Sequence, residues 1–357
     1  MNIKRFWRVM LSIALTTTTL AVASCKEENQ QNDPIDATVE TPRYMAAEGD
    51  NIYFTSYFPT AVIRYDIEQH AITGVCKLGI FHPEGIAAVD GKLYIASSNI
   101  SDENNTYHYD NKLYIVDIAD FKVVDSVTVG YNPAKVIKLD NSHIVFNTWG
   151  DYESDQGGLY IMNTQNKEIT PLSITLYNFD VYNGDIYGYT SPYSNMAFYK
   201  IDGATHQATQ IITSWSATDH AYSFNLNPYN GDIIVTTDGN FVSNGDCYLF
   251  SNDGRKKKGP IQLGKLPSKA VAIDADRVLV LNEGSWGENS AEVSKLDFSN
   301  DSYNVQFFSQ KNSRGLGDVA QDIILYKGNA YITVSFSNSI ETMDPETGLS
   351  TRFATAK

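Results

Sequence analysis

The stretch "EGIAAVDGKLYIASS" (Glu84–Ser98) holds two apolar runs on either side of the turn sequence "VDGK". Glycine tolerates the positive φ that a tight β-hairpin turn requires, so this stretch predicts two antiparallel strands. The chain continues with a third apolar run, "KLYIVD" (112–117), and a fourth, "KVVDSVTVG" (122–130). Together the four runs predict one four-stranded antiparallel unit.

The same unit recurs seven times. Its second strand is anchored in successive copies, at spacings of 41, 51, 42, 47, 45 and 52 residues, by Ile52, Leu93, Ile144, Ile186, Ile233, Val278 and Ala330. Repeats of four short strands at this period are typical of β-propeller blades, whereas a β-sandwich would not repeat one unit seven times. We therefore predict an all-β fold with one seven-bladed β-propeller over residues 43–357. A fourth strand is recognisable in five units, including "NVQFFSQ" (304–310), but the sequence does not show how the ring closes.

The first 24 residues resemble an export signal. Lys4, Arg5 and Arg8 precede a short apolar segment, which ends in "VASC", small residues directly before Cys25. This ending resembles the lipobox of bacterial lipoproteins and predicts lipidation of Cys25; a plain secretory signal is the alternative. The following "KEENQQND" resembles the surface-export signal of Bacteroidetes lipoproteins, so we expect a lipid anchor on the extracellular face of the outer membrane. Residues 25–42 are polar and acidic and predict a flexible tether.

Charge and cysteine content narrow the function classes. The chain has a net charge of −15, and loss of the three basic signal residues leaves 24 basic against 42 acidic side chains, about −18. Such a chain repels polyanions, so we expect no nucleic-acid partner. Cys76 and Cys247 lie in separate apolar runs, which favours buried free thiols over a disulfide.

One face of the predicted propeller carries long loops with many aromatic residues. In each blade, the loop between the second and third strands opens on the same face as the connection to the next blade, whereas the first turn is short and polar. Broad rings with polar tips, beside amide and charged groups, are typical of a binding surface. The candidate ligand-binding residues on this face are Tyr57, Phe58, His82, Tyr107, Tyr109, Tyr131, Trp149, Tyr152, Tyr193, Trp215, His220, Asp238, Asn240, Phe241, Trp286, Arg314 and Phe336.

No linear catalytic or metal-binding motif is present, so we expect no enzyme activity, no catalytic residue, no cofactor and no bound metal. Two alternatives stay open. Loop acids offer oxygen ligands for calcium, namely Asp102, Glu103, Asp151, Glu153, Asp155, Glu283 and Glu288. A hydrolase site assembled from several blades would draw on acids near the starts of the first strands, namely Glu84, Asp180, Asp318 and Asp322.

In residue types, "LGIFHPEGIAAVDGKLYIAS" (78–97) and "VGYNPAKVIKLDNSHIVF" (129–146) resemble the YncE-like propellers. With the start "VASCKEEN" (22–29), the seven repeats, the acidic balance and the aromatic loops, the chain resembles the BtuG group of Bacteroidetes surface lipoproteins. That resemblance implies capture of vitamin B12 and other corrinoids on one propeller face and their delivery to a TonB-dependent, BtuB-like outer-membrane transporter. The second interpretation is a glycan-binding surface lipoprotein of a polysaccharide-uptake system, and the third is a propeller hydrolase or lactonase.

Overall fold

Seven four-stranded antiparallel sheets form a closed β-propeller, as the sequence predicts. The computed structural model describes residues 39–79, 81–101, 106–154, 157–193, 195–215 and 220–354. Each sheet consists of four strands that are consecutive in the chain, and the innermost strands of neighbouring blades contact one another around a common axis. In the described part of the chain, no helix has the length and apolarity that a membrane crossing requires.

From blade 1 to blade 7, the innermost strands are β1 (Glu40–Glu48), β5 (Phe81–Val89), β9 (Pro133–Lys138), β13 (Asn178–Tyr182), β17 (Ala221–Leu226), β21 (Pro267–Ala272) and β25 (Ala320–Tyr326). The second strands are β2 (Asn51–Phe58), β6 (Lys92–Ser101), β10 (His143–Thr148), β14 (Asp185–Tyr189), β18 (Ile233–Thr237), β22 (Arg277–Asn282) and β26 (Asn329–Val334). The third strands are β3 (Ala61–Asp66), β7 (Tyr107–Asp117), β11 (Gly158–Asn163), β15 (Phe198–Ile201), β19 (Asp246–Phe250), β23 (Glu292–Asp297) and β27 (Ser339–Met343). The outermost strands are β4 (Ala71–Lys77), β8 (Lys122–Thr128), β12 (Ile169–Pro171), β16 (Ala208–Gln210), β20 (Lys256–Gln262), β24 (Ser302–Asn304) and β28 (Ser350–Ala354). A helix, α1, spans Phe307–Asn312, and short 3-10 turns span Gly239–Phe241 and Ser335–Ser337.

The apolar core lies between blades. Every residue of the second strand Ile233–Thr237 is buried, because neighbouring blades cover both faces of each sheet. The outermost strand Lys122–Thr128, by contrast, is exposed along most of its length. This gradient explains why the second strands are continuous apolar runs and the fourth strands are hard to recognise in the sequence.

Ring closure depends on contacts of β1 with blade 7, since neither blade lends a strand to the other. Val39 is fully buried in a cluster with residues of β26 and β27. The Thr41 amide donates to Asn338 Oδ1 at 2.9 Å, and the Ser335 hydroxyl donates to the Pro42 carbonyl at 2.6 Å. Closure therefore combines an apolar cluster shared by blades 1 and 7 with polar contacts along the inner edge of the ring.

The closing strand lies partly in the region predicted to be a tether. β1 begins at Glu40, three residues before the predicted boundary at residue 43. The acidic, proline-containing sequence conceals this strand because its docking to blade 7 uses backbone amides and carbonyls, which leave no apolar pattern. The predicted signal, Cys25 and the rest of the tether lie outside the described residues.

The predicted fourth strand at 304–310 is wrong. The strand is Ser302–Asn304, and the following segment forms α1. Phe307 and Phe308 of this helix are both buried in the apolar cluster shared by blades 6 and 7, together with Val293 and Leu316. Glu292 accepts from the Phe308 amide at 2.8 Å and so satisfies one free donor at the start of the helix.

Two further expectations meet clear outcomes. Cys76 and Cys247 are both buried free thiols, as predicted.

The predicted long loop of blade 2 is largely a projecting hairpin, because β6 and β7 continue their pairing as far as Ser101 opposite Tyr107. Tyr107 and Tyr109 therefore lie on a strand, two residues apart and on the same side of it.

Asp322 ties three blades together near the axis and offers a test of closure. Its carboxylate accepts from the Met45 amide of blade 1 at 2.8 Å and from Lys269 of blade 6 at 2.5 Å. We expect Asp322→Ala to lower the free energy of unfolding by about 2 to 4 kcal/mol, because a buried amide and a lysine lose their acceptor. Urea denaturation at pH 7 measures this. Asp50→Ala, which removes an exposed ion pair with Lys327, is the control and should cost less than about 1 kcal/mol. Equal losses in the two variants would contradict this role of Asp322.

Candidate functional site

Exposed aromatic side chains are concentrated on one face. Of the nine exposed aromatic residues in the described part of the chain, only Tyr229 lies in a first-to-second-strand turn, on the opposite face. The other eight lie at second-to-third-strand connections or on blade-to-blade connections. We call these eight residues the aromatic face: Phe58, Tyr107, Tyr109, Tyr131, Tyr152, Tyr193, Trp286 and Phe336. All eight are candidates from the sequence.

A continuous stack of side chains joins the axis to the hairpin of blade 2. The Arg43 guanidinium lies 4.5 Å from the centroid of the Tyr57 ring. The His82 ring stacks on the same tyrosine, with 5.0 Å between the ring centroids. Tyr107 follows at 5.2 Å from His82. Burial lowers the pKa of His82, so its ring is held in the neutral form that stacks without a charge. Arg43, Tyr57, His82 and Tyr107 thus form a continuous row of contacting side chains beside the aromatic face.

Blades 2 to 4 continue the aromatic surface. Tyr109 meets Tyr152 edge to face at 5.9 Å. Trp149 stacks on Tyr177 at 5.4 Å with the two rings nearly parallel, and Tyr193 meets Tyr177 at 6.3 Å. Trp149 is thus partly buried and stacks on the partly buried Tyr177, whereas the sequence suggested a solvent-facing ring.

Blades 5 to 7 complete the circle. Phe241 is half-buried and packs edge to face against Tyr222 at 6.0 Å, with exposed Asn240 beside it. Trp286 and Phe336, from blades 6 and 7, are about half-exposed and meet at 6.4 Å. Trp286 therefore presents more ring surface than its counterpart Trp149 in blade 3.

The strand register aligns a layer of mainly polar residues around the axis, of which sequence reasoning singled out only Glu84 and Asp322. Each second-strand anchor residue pairs with one residue of the inner strand. Three positions before that partner lie Tyr44, Gly85, Lys135, Asn178, Ser223, Lys269 and Asp322, and one position earlier lie Arg43, Glu84, Ala134, Tyr177, Tyr222, Ser268 and Gln321. The signal was available in the sequence as polar residues near the starts of most of the apolar first runs.

These axial groups bond across blades. Arg43 pairs with Glu84 at 2.8 Å and donates to Gln321 at 2.9 Å, and Tyr57 donates a hydrogen bond to Glu84. The Lys135 ammonium donates to Asn178 at 2.8 Å, and no carboxylate of the described residues lies within ion-pair distance of it. Burial lowers the pKa of Lys135 to about 8, against the opposing effect of Asp180.

Glu283 is the acid whose ionisation changes near neutral pH. Burial raises the pKa of its carboxyl to about 7, although the Tyr222 hydroxyl donates to it at 3.0 Å and favours the charged form. A carboxyl in this range exchanges between a hydrogen-bond donor and an acceptor at physiological pH. Glu283 therefore places a group that can bond either a carbonyl or an amide beside Tyr222 of the axial layer.

Three candidates are engaged in internal contacts. Trp215 packs against Phe198 at 5.2 Å and Tyr248 at 5.1 Å, within the core between blades 4 and 5. Arg314 forms a two-point ion pair with the fully buried Glu341 at 2.9 and 2.7 Å. Asp238 is 1% exposed. These large or charged side chains suggested ligand contact, but in the structure they contact other residues of the protein.

The acids considered for metal or hydrolytic chemistry are dispersed. No group of three or more His, Cys, Asp or Glu side chains suitable for a metal ion occurs among the described residues. Asp151 accepts from the Glu153 amide at 2.9 Å, Asp180 from the Leu226 amide at 2.9 Å, and Asp318 from the Gly287 amide at 2.9 Å. Glu288 lies 3.8 Å from Lys265, and Asp102, Glu103 and Asp155 lie outside the described residues.

Glu283 yields a pH-dependent prediction. Because its folded-state pKa is raised above the usual 4.5, its contribution to stability is complete below about pH 4.5 and is lost as pH rises to about 7. We expect the wild-type protein to lose about 1 to 3 kcal/mol relative to Glu283→Gln between pH 5 and pH 8. Urea denaturation of both proteins across this range measures the difference. Glu288→Gln, at an exposed position in the same loop, is the control; a difference between wild type and Glu283→Gln that stays constant with pH would refute the prediction.

Comparison with known proteins supports the fold. The sequence matches no protein-family model and no curated protein sequence. Among solved structures, the computationally designed protein Ika8 is 7% identical with a TM-score of 0.59, over 90% of this chain and 89% of that one. Hydrazine synthase of Kuenenia stuttgartiensis is 12% identical with a TM-score of 0.57, over 93% and 99%. A catalytically inactive variant of virginiamycin B lyase from Staphylococcus aureus, with quinupristin, is 12% identical with a TM-score of 0.59, over 86% and 96%. At these identities the chain is similar to them in fold alone: it is a seven-bladed β-propeller.

Proposed function

We propose that this protein captures vitamin B12 or a related corrinoid on its aromatic face, without chemical conversion. The observation that carries the proposal is the placement, among the described residues, of eight of the nine exposed Phe, Tyr and Trp side chains on one face. Contiguous exposed apolar surface is uncommon on a monomer and marks a site of interaction. A broad circle of rings fits a broad, flat ligand better than a small one.

The chemistry of the rim suits such a ligand. A corrinoid is a large disc with amide side chains and a nucleotide loop, so it needs apolar cover and many hydrogen-bond partners. Tyrosine and tryptophan rings supply the cover with little loss of side-chain entropy. Exposed Asn240 and the ionisable Glu283 supply polar partners beside them.

Much of the surface is already held in place before a ligand arrives. Tyr57 and His82 stack on each other, Trp149 supports Tyr177, and Arg43 and Glu84 fix the inner end of the stack. Preformed contacts reduce the conformational entropy that binding would otherwise cost. We therefore propose recognition by a stiff surface with few rearrangements.

The cellular setting is part of the same proposal. The "VASCKEEN" start supports a lipid anchor at Cys25 on the extracellular face of the outer membrane, and the resemblance to the BtuG group supports delivery of the corrinoid to a TonB-dependent transporter. Two acyl chains would hold the protein at the membrane stably. Pull-down of a transporter from detergent-solubilised outer membranes, with Cys25→Ala as the unanchored control, tests this part separately.

Titration calorimetry with cyanocobalamin tests the capture proposal. We expect binding to the wild-type protein, weakened about tenfold to thirtyfold by Trp286→Ala and by Tyr152→Ala, because each removes a half-exposed ring from the ligand surface. Tyr229→Ala is the matched control: its ring is 60% exposed but lies on the opposite face, so affinity should not change.

The same variants separate the alternatives. Absence of heat and of any absorption change with micromolar cyanocobalamin would refute corrinoid capture. Binding to a glycan array that is lost in Trp286→Ala and kept in Tyr229→Ala would then support the glycan-binding interpretation. Loss of cobalamin affinity in Tyr229→Ala, with Trp286→Ala and Tyr152→Ala unchanged, would show that the wrong face has been chosen.

A further inference from the structure

His220 occupies a fixed position at the rim of blade 5. It directly precedes β17, and Asp238 directly follows β18, so the two residues extend the pairing of these strands by one position. The Asp238 amide donates to the His220 carbonyl at 3.1 Å. The side chains also meet, with His220 Nδ1 at 3.1 Å from Asp238 Oδ2. Backbone and side-chain contacts together set the orientation of the imidazole.

Burial and a second hydrogen bond fix the orientation of the Asp238 carboxylate. It is 1% exposed, and its second oxygen, Oδ1, accepts from the Asn240 amide at 2.9 Å at the start of the 3-10 turn. A carboxylate that faces Nδ1 requires the proton of a neutral imidazole on that nitrogen. The lone pair is then on Nε2. This is the arrangement by which a carboxylate prepares a histidine to bind a metal.

The His220 imidazole lies on the same side of the propeller as the aromatic face. The His220 side chain is 39% exposed, and its ring lies 5.1 Å from that of Tyr193, a member of the aromatic face. His82, on the same face, is instead stacked against Tyr57 and Tyr107. His220 thus combines an orienting carboxylate with partial exposure beside the ligand surface.

One histidine does not hold a free metal ion, and the described residues offer no cluster of three suitable ligands. A metal that already sits in a macrocycle is different. Four equatorial nitrogens come with the ligand, so a single imidazole on the axis completes a coordination position. The site therefore fits a flat, metal-containing ring and not a hydrated ion.

We propose that His220 Nε2 binds the cobalt of a corrinoid as an axial ligand, with Asp238 as the positioning residue. This inference rests on the proposed function. In aquocobalamin the step is a ligand exchange: the bond from cobalt to water breaks, a bond from cobalt to Nε2 forms, and water leaves. Cobalt keeps its oxidation state, and no proton or electron is transferred when the imidazole is neutral. Cyanide blocks this position in cyanocobalamin, so that form binds through the aromatic face alone.

Absorption spectroscopy of aquocobalamin tests the proposal, in buffer free of imidazole. We expect the wild-type protein to shift the aquocobalamin bands to those of an imidazole complex. His220→Gln keeps a side-chain donor for Asp238 but lacks the imidazole lone pair, so the shift should disappear. Its affinity for aquocobalamin should fall about tenfold to a hundredfold, and its affinity for cyanocobalamin less than about threefold. Asp238→Asn should weaken the shift through loss of orientation, with circular dichroism to confirm folding.

His143 provides the matched control. Its Nδ1 faces Asp140 at 3.0 Å, but its Nε2 is 3.2 Å from the Asn163 amide nitrogen, and it lies in a turn of the opposite face. His143→Gln should leave the spectral shift unchanged. If both cobalamins bind and the aquocobalamin spectrum stays that of the water complex, axial binding is refuted while capture stands. If neither cobalamin binds, capture and axial binding are refuted together.

Discussion

The closed ring depends on how the first strand meets the last blade. Both blades own four strands, so nothing covalent or interlaced joins them, and the junction is made by β1 against β25, β26 and the turn that follows β26. Val39 anchors it in the apolar core, and the amides and carbonyls of Thr41, Pro42 and Met45 are taken up by side chains of blade 7. The junction also covers the apolar sides of blades 1 and 7, which an open arc would expose to water.

The axis and the rim follow from that closure. Once seven inner strands converge, the polar residues at their starts must satisfy one another in a confined space. Most do so in pairs, such as Arg43 with Glu84 and Lys269 with Asp322. Paired charges connect the inner ends of neighbouring blades, and the loops that carry the aromatic face begin and end on these blades. The positions of the rings therefore depend on the contacts around the axis.

Much of this was accessible from the sequence. Blade number, strand order and the face that carries the exposed rings follow from the repeat period and the loop sequences, because blades are units that bury the same apolar face. The sequence does not predict the structure where long-range contacts, and not a periodic apolar pattern, determine the local conformation. The closing strand at Glu40 has little apolar pattern, the segment with Phe307 and Phe308 is a helix that its residue types do not reveal, and Trp215 packs into the core between blades. The axial layer was accessible only in part: Glu84 and Asp322 stand out as acids near strand starts, but contacts such as that of Asp322 with Met45 join residues 277 positions apart.

The direction of β1 has a consequence for the junction that closes the ring. An inner strand of this fold begins on the face that carries the blade-to-blade connections, so Val39 and the start of β1 lie on the side of the aromatic rings. The contacts of Thr41 and Pro42 with blade 7 are therefore on the same side of the propeller as the aromatic face, whereas Tyr229 lies on the opposite side.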